Sequence, residues 1–100
     1  MKLNGKTIKI DPYTAESLGD ETVIYVEESG KIVLLNDSAT VIFNQIYQRY
    51  STGTDSFTDD IVVYISNIYP NLSADELNNI YSDVEETIDL FLKASLIKEI

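Results

Sequence analysis

The side chains able to do chemistry here are carboxylates, hydroxyls and seven lysine or arginine groups, because the 100 residues contain no cysteine and no histidine. Those absences remove the commonest general base, the common transition-metal ligand and the thiolate nucleophile. A disulfide framework is excluded as well, which fits a reducing compartment. The pairs Asp59-Asp60 and Glu85-Glu86 have the residue types for acid–base work or for holding a divalent ion. Neighbouring helical residues, however, point about 100° apart, and neither pair sits in a calcium loop or a glycosidase arrangement. The expectation is a protein without catalytic residues, without a metal site and without a cofactor.

Net charge bears on the partner. Seventeen acidic residues against seven basic ones give −10, and such a chain repels phosphate. A nucleic-acid binder needs a face of Lys and Arg, whereas Lys2, Lys6, Lys9, Lys31, Arg49, Lys93 and Lys98 are scattered along the sequence. The seven tyrosines could in principle stack bases. Tyr47, Tyr50, Tyr69 and Tyr81 fall instead on apolar helical stripes, where core or core-rim packing accounts for them.

The elements that must position these groups are legible in the apolar pattern. Thr22 to Glu27 and Lys31 to Leu35 are rich in β-branched and aromatic residues, and Glu28-Ser29-Gly30 between them is turn material, so the segment reads as a β-hairpin. Asn36, Asp37 and Ser38 then offer side-chain oxygens to a helix start. Ala39, Ile42, Phe43, Ile46, Tyr47 and Tyr50 follow at helical spacing. The polar run Ser51 to Ser56 ends that helix. Thr58 is expected to cap a second one before Pro70, although Ile61, Val62, Val63 and Ile65 would also suit a strand. Ser73 and Glu76 form a capping box, and Leu77, Ile80, Tyr81, Val84, Ile88, Phe91 and Leu92 extend one long helix from about Ala74 to Ala94. Lys6 to Ile10 alternates as a first strand stopped by Asp11-Pro12, and the stretch to Asp20 reads as a loop or single turn.

With the hairpin, Leu35-Asn36, Ala39 and Ile42-Phe43 in place, the chain resembles the PqqD-like family of small winged-helix domains. The last helix, Asp83 to Ile97, is similar to the family's D-V-x-x-F-L-x-x-L pattern with its G-L-I ending. Ser95 stands at the glycine position, which weakens the helix stop because serine reaches the left-handed region less easily. The resemblance covers roughly residues 20 to 97. It implies an α+β fold, winged helix-turn-helix-like, with a three-stranded antiparallel sheet followed by three helices, and residues 1–100 as one domain of which 1–20 form a strand and loop.

The same resemblance implies a RiPP recognition element: a non-catalytic module that binds the leader segment of a ribosomally synthesised precursor peptide. The partners implied are that peptide and a modifying enzyme, such as a radical SAM maturase or a lasso-pathway leader peptidase. An extended peptide would add antiparallel to the second hairpin strand in a groove against the last helix. The candidate residues are Lys31, Ile32, Val33, Leu34 and Leu35 on the strand, with Tyr81, Val84, Glu85, Ile88, Asp89 and Phe91 on the helix. An apolar helical stripe is also what a core requires, and the carboxylates equally suit a basic leader or a solvated surface.

Two other readings share the fold: a winged-helix regulator, marked by a basic face on the second and third helices, and an interaction adaptor, marked by a strand edge covered by the N-terminal segment. Homodimerisation through the open edge is a further possibility. No stretch approaches the roughly 18 apolar residues of a membrane span, so a cytoplasmic, soluble protein is expected.

Overall fold

A computed structural model describes residues 1–100 as nine elements: β1 (Lys2–Leu3), β2 (Lys6–Ile10), β3 (Tyr13–Leu18), β4 (Glu21–Val26), β5 (Ile32–Leu35), α1 (Asp37–Thr52), α2 (Thr58–Ile68), α3 (Ala74–Lys93) and β6 (Ile97–Glu99). Two antiparallel three-stranded sheets form, in the orders β1-β2-β6 and β3-β4-β5. The class is therefore α+β, and a three-stranded sheet does precede three helices.

The membership of that sheet differs from expectation. Lys6–Ile10 does not join the hairpin; it pairs with β6, Ile8 opposite Glu99 and Ile10 opposite Ile97. The third strand beside the hairpin is Tyr13–Leu18, in register from Tyr13 opposite Val26 to Leu18 opposite Glu21. Its exposed Ala15, Glu16 and Ser17 lack the apolar alternation of a half-buried strand, which is why the segment reads as a loop. A two-residue turn with Gly19 at φ 63° closes it onto β4, the conformation in which glycine bears no Cβ penalty. Asp11-Pro12 is a corner between the sheets: the Asp11 amide donates to the Leu96 carbonyl (2.9 Å), and the Pro12 carbonyl accepts from Glu27 (3.1 Å).

Local chemistry sets the helix ends. Asn36 Oδ1 accepts from the Ala39 amide (2.9 Å) and caps α1. At α3 the Glu76 amide donates to Ser73 Oγ (3.1 Å) and the Ser73 amide to Glu76 Oε1 (3.4 Å), as the capping box requires. The start of α2 departs from expectation, since Thr58 is the first helical residue and not the cap. Its amide donates to Asn4 Oδ1 (2.7 Å), its hydroxyl accepts from Asn4 Nδ2 (2.8 Å), and the Phe57 amide donates to Asp60 Oδ2 (2.8 Å). The cap thus comes from 54 residues away in sequence, beyond the reach of a local motif. The apolar stripe of α2 nevertheless folds as a helix, because Ile61, Val62 and Ile65 are buried together against the core.

Nineteen buried apolar residues form one core. Its floor is Ile24, Val26, Val33 and Leu35 from the hairpin sheet, covered by Ile42, Phe43 and Ile46 of α1 and by Val84, Ile88 and Phe91 of α3. Phe91 meets Phe43 edge-on at 5.4 Å, and Tyr13 meets Phe43 edge-on at 5.3 Å, a preferred aromatic geometry. The helix α3 ends with Ser95 at φ 61°: the Leu96 amide donates to Phe91 O (3.0 Å) and the Ser95 amide to Leu92 O (3.1 Å). That is a glycine-type stop made with serine.

Candidate functional site

The strand β5 lies at the edge of its sheet, paired with β4 on one side and with no strand on the other. The turn before β5 and the helix start after it are both brought to α3. At the hairpin tip Lys31 Nζ donates to the Lys93 carbonyl (2.9 Å) and Ser29 Oγ to the Ala94 carbonyl (3.5 Å). These two bonds satisfy carbonyls that a helix end leaves unpaired, and the lysine places a cation at the negative end of the helix dipole. At the other end, Ser38, just past β5, shares a recess with Asp83 and Val84 of α3. Strand and helix therefore run side by side in opposite directions, from Lys31 beside Lys93 to Ser38 beside Asp83.

The helix wall of this channel follows from the period of 3.6 residues. Asp83, Thr87, Leu90 and Ala94 fall in line on one flank of α3, and Ala94 is already tied to the hairpin tip. Asp83 and Leu90 are exposed and Thr87 is half-buried. The recess at the Ser38 end holds about 160 Å³ and is lined by Val41, Ile65, Tyr69, Ile80 and Val84, with the Asp83 carboxylate and the Ser38 hydroxyl completing it. An apolar hole with a single carboxylate is suited to a bulky apolar side chain with a basic neighbour.

The eleven candidate residues separate into three groups. Lys31, Ile32 and Leu34 stand at the free edge, Ile32 and Leu34 being 70% and 57% exposed on the outer face of the sheet. Val33, Leu35, Val84 and Phe91 are 4% exposed or less and belong to the core beneath the channel; Val84 also reaches the recess. Tyr81, Glu85, Ile88 and Asp89 lie on the opposite flank of α3. Tyr81 lines a groove with α2, while Glu85, Ile88 and Asp89 border Asn4 and Thr58. Asp83, Thr87 and Leu90, in line with Ala94, lie roughly half a turn of helix face away from Glu85 and Asp89. The flank of α3 in line with Ala94 is the one that the hairpin tip touches, through Ser29 Oγ and the Ala94 carbonyl.

Charge around the site is one-sided. The α2 sequence carries no lysine or arginine, and α3 carries only Lys93, which pairs with Asp89 at 2.8 Å. There is accordingly no continuous basic face on these helices. Below the hairpin tip Asp11 is 2% exposed and meets Lys98 Nζ at 2.7 Å and Lys9 Nζ at 3.7 Å, while Glu28 of the tip meets Lys98 at 3.5 Å. Burial pushes the Asp11 carboxyl up, but the two ammonium groups outweigh it and hold it below its usual range. The N-terminal segment is engaged with β6 and does not cover the β5 edge. No three His, Cys, Asp or Glu side chains are grouped so that they could hold a metal ion, and no helix is long and apolar enough to cross a membrane.

No protein-family model matches the chain, and no curated protein matches it. Among solved structures, TbiB1 in complex with the TbiA(beta) leader peptide superposes with a TM-score of 0.67, covering 90% of this chain and 94% of that one at 16% identity. This likeness shows the fold, and it is the winged-helix-like α+β fold implied by the PqqD-like resemblance. TbiB1 itself was solved with a leader peptide bound.

Proposed function

We propose that this protein is a RiPP recognition element that binds the leader segment of a ribosomally made precursor peptide and delivers it to a peptide-modifying enzyme, without catalysing a reaction itself. The observation that carries this reading is the free edge of β5, whose hairpin tip is tied to the end of α3, with an apolar recess between α1, α2 and α3 just past the other end of the strand. An added strand satisfies the backbone groups of the edge and gives affinity, while side chains entering the channel give specificity. The leader would lie antiparallel to β5, its N-terminal part over the recess and its C-terminal part leaving past Lys31. A bulky apolar residue fits the recess, and a basic residue beside it would meet Asp83.

The likeness to a protein that holds a leader peptide supports the same reading. The absence of a basic face on α2 and α3 argues against a DNA-binding regulator. The uncovered β5 edge argues against an adaptor that keeps that edge shut. A soluble cytoplasmic setting suits a precursor made on ribosomes.

The test is a titration with the precursor peptide encoded beside the gene, its leader and core halves taken separately, followed by backbone amide NMR shifts. Saturable shifts from the leader alone at Ile32 to Leu35, Asp83, Thr87 and Leu90 are expected. Absence of binding by leader and by whole precursor would overturn the reading.

A further inference from the structure

The helix α2 is apolar on more than its core side. Ile61, Val62 and Ile65 are buried, yet Val63 is 58% exposed and Tyr64 and Ile68 are exposed as well. A helix apolar around most of its circumference ordinarily has partners on both sides, and here one side has none. Val63 faces an open groove between α2 and α3 of about 500 Å³, with Val62, Val63, Leu77 and Tyr81 as its apolar surface and Asp59, Ser66, Asn67 and Asn78 as its polar one, while Tyr64 and Ile68 lie on another face of the helix. Leu77 and Tyr81 are 42% and 38% exposed. The groove lies on the flank of α3 opposite the β5 channel, so both can be occupied together.

The surroundings of the groove say what can fill it. Asp59 lines it, and the exposed Asp60, Asp75, Glu76 and Glu85 lie on the same two helices with no lysine or arginine before Lys93. The Asp59 carboxylate beside Tyr81, through a hydrogen bond and its charge, holds the tyrosine hydroxyl above its usual range. A second copy of this chain, with net charge −10, would bring the same carboxylates face to face and be repelled. A cationic amphipathic segment meets both requirements, burying apolar side chains against Val63 and Leu77 and placing its charges against Asp59 in the groove and Glu85 beside Tyr81.

We propose that the α2/α3 groove is a second binding site that docks a basic amphipathic helix of a partner protein. The proposal is independent of leader capture by β5 and would stand if that reading failed.

The probe is a synthetic amphipathic helix built of leucine and lysine, titrated into the isotope-labelled protein, with a leucine–glutamate counterpart as control. Saturable shifts confined to Val63, Asn67, Leu77 and Tyr81, absent with the control, are expected. The substitution Val63→Asp adds a negative charge while spoiling the apolar surface, so it separates groove docking from general attraction of a cation. Docking predicts about tenfold weaker binding by V63D. Equal or tighter binding by V63D, or shifts spread over every exposed carboxylate, would overturn the proposal. Shifts in the β5 channel would overturn it too, as would a concentration-dependent dimer abolished by V63D. A second variant, Leu77→Gln, is expected to show the same loss, and thermal melting of both variants checks that they remain folded. Leader binding by V63D is expected to be unchanged, which keeps the two sites' outcomes apart.

Discussion

Lys31 donates from Nζ to the main-chain carbonyl of Lys93 at 2.9 Å, a bond that reaches from the hairpin tip to the last turn of α3. The bond is solvent-exposed, so its worth to folding is small, about 0.5 kcal/mol. Its geometric effect is larger, because it fixes one end of the channel between β5 and α3. Lys31→Met should therefore lower the melting temperature by only a few degrees while accelerating leader dissociation by more than stability alone explains, as stopped-flow measurement of the off-rate would show. Equal off-rates for both proteins would mean that the clamp is irrelevant to binding.

The recess at the other end gives a sharper test. Val41 lines it and is only partly buried, so Val41→Trp can fill the space without repacking the core. Leader affinity is expected to fall by at least about tenfold, the scale set by excluding one buried apolar side chain. Asp83→Asn should weaken only leaders with a basic residue near that point. Isothermal titration with matched leader variants distinguishes the two.

Ser95 occupies the left-handed region at φ 61° in order to end α3, and a side chain there costs about 1 kcal/mol relative to glycine. Ser95→Gly should raise the melting temperature by roughly 4–8 °C. A decrease would show that the serine makes a compensating contact.

The start of α2 depends on Asn4, whose side chain both accepts from the Thr58 amide and donates to the Thr58 hydroxyl. Asn4→Ala should cost about 1–2 kcal/mol and expose the first amides of α2 to exchange. Unchanged hydrogen-exchange protection from Asp59 to Ile61 would contradict this.

Acid sensitivity follows from Asp11. Its pKa is lowered from the ordinary 3.8 in the folded protein, so the contribution is fully present above that value and is lost as pH falls through the lower folded value. Lys98 shows the converse: the hydrogen bond to Asp11, chiefly, raises its pKa above 10.5, and its contribution is lost only as pH rises through that raised value. Chemical denaturation at pH 7 and near pH 3 should show a larger decline for the native protein than for Asp11→Asn.

Much of this architecture was legible wherever a segment has one apolar face and one polar face. The hairpin, the Asn36 cap and the Ser73-Glu76 box are local, and their sequence signals sit within a few residues of what they organise. The strand Tyr13–Leu18 was not legible, because it is held by β4 and, after Tyr13, exposed, so its side chains carry little burial signal. The cap of α2 and the pairing of β6 depend on residues more than fifty positions away. For the candidate site, an edge strand was legible, whereas the flank of α3 that the hairpin tip touches was not. Periodicity separates buried from exposed positions on α3, yet two exposed flanks border the buried stripe, and only the tertiary position of the hairpin tip tells which one faces β5.

The pairing of Ile8 with Glu99 brings the two ends of the described chain into one sheet. Segments so distant in sequence close a long loop before they gain any contact, whereas the hairpin and α1 close short ones. Folding should therefore proceed outward from residues 21–52, with the sheet of β1, β2 and β6 completed last. On the ribosome, Lys6–Ile10 waits without its partner until Ile97–Glu99 has been made and has cleared the exit tunnel, so the Asp11–Lys98 brace beneath the hairpin tip is acquired long after Asp11 itself has emerged.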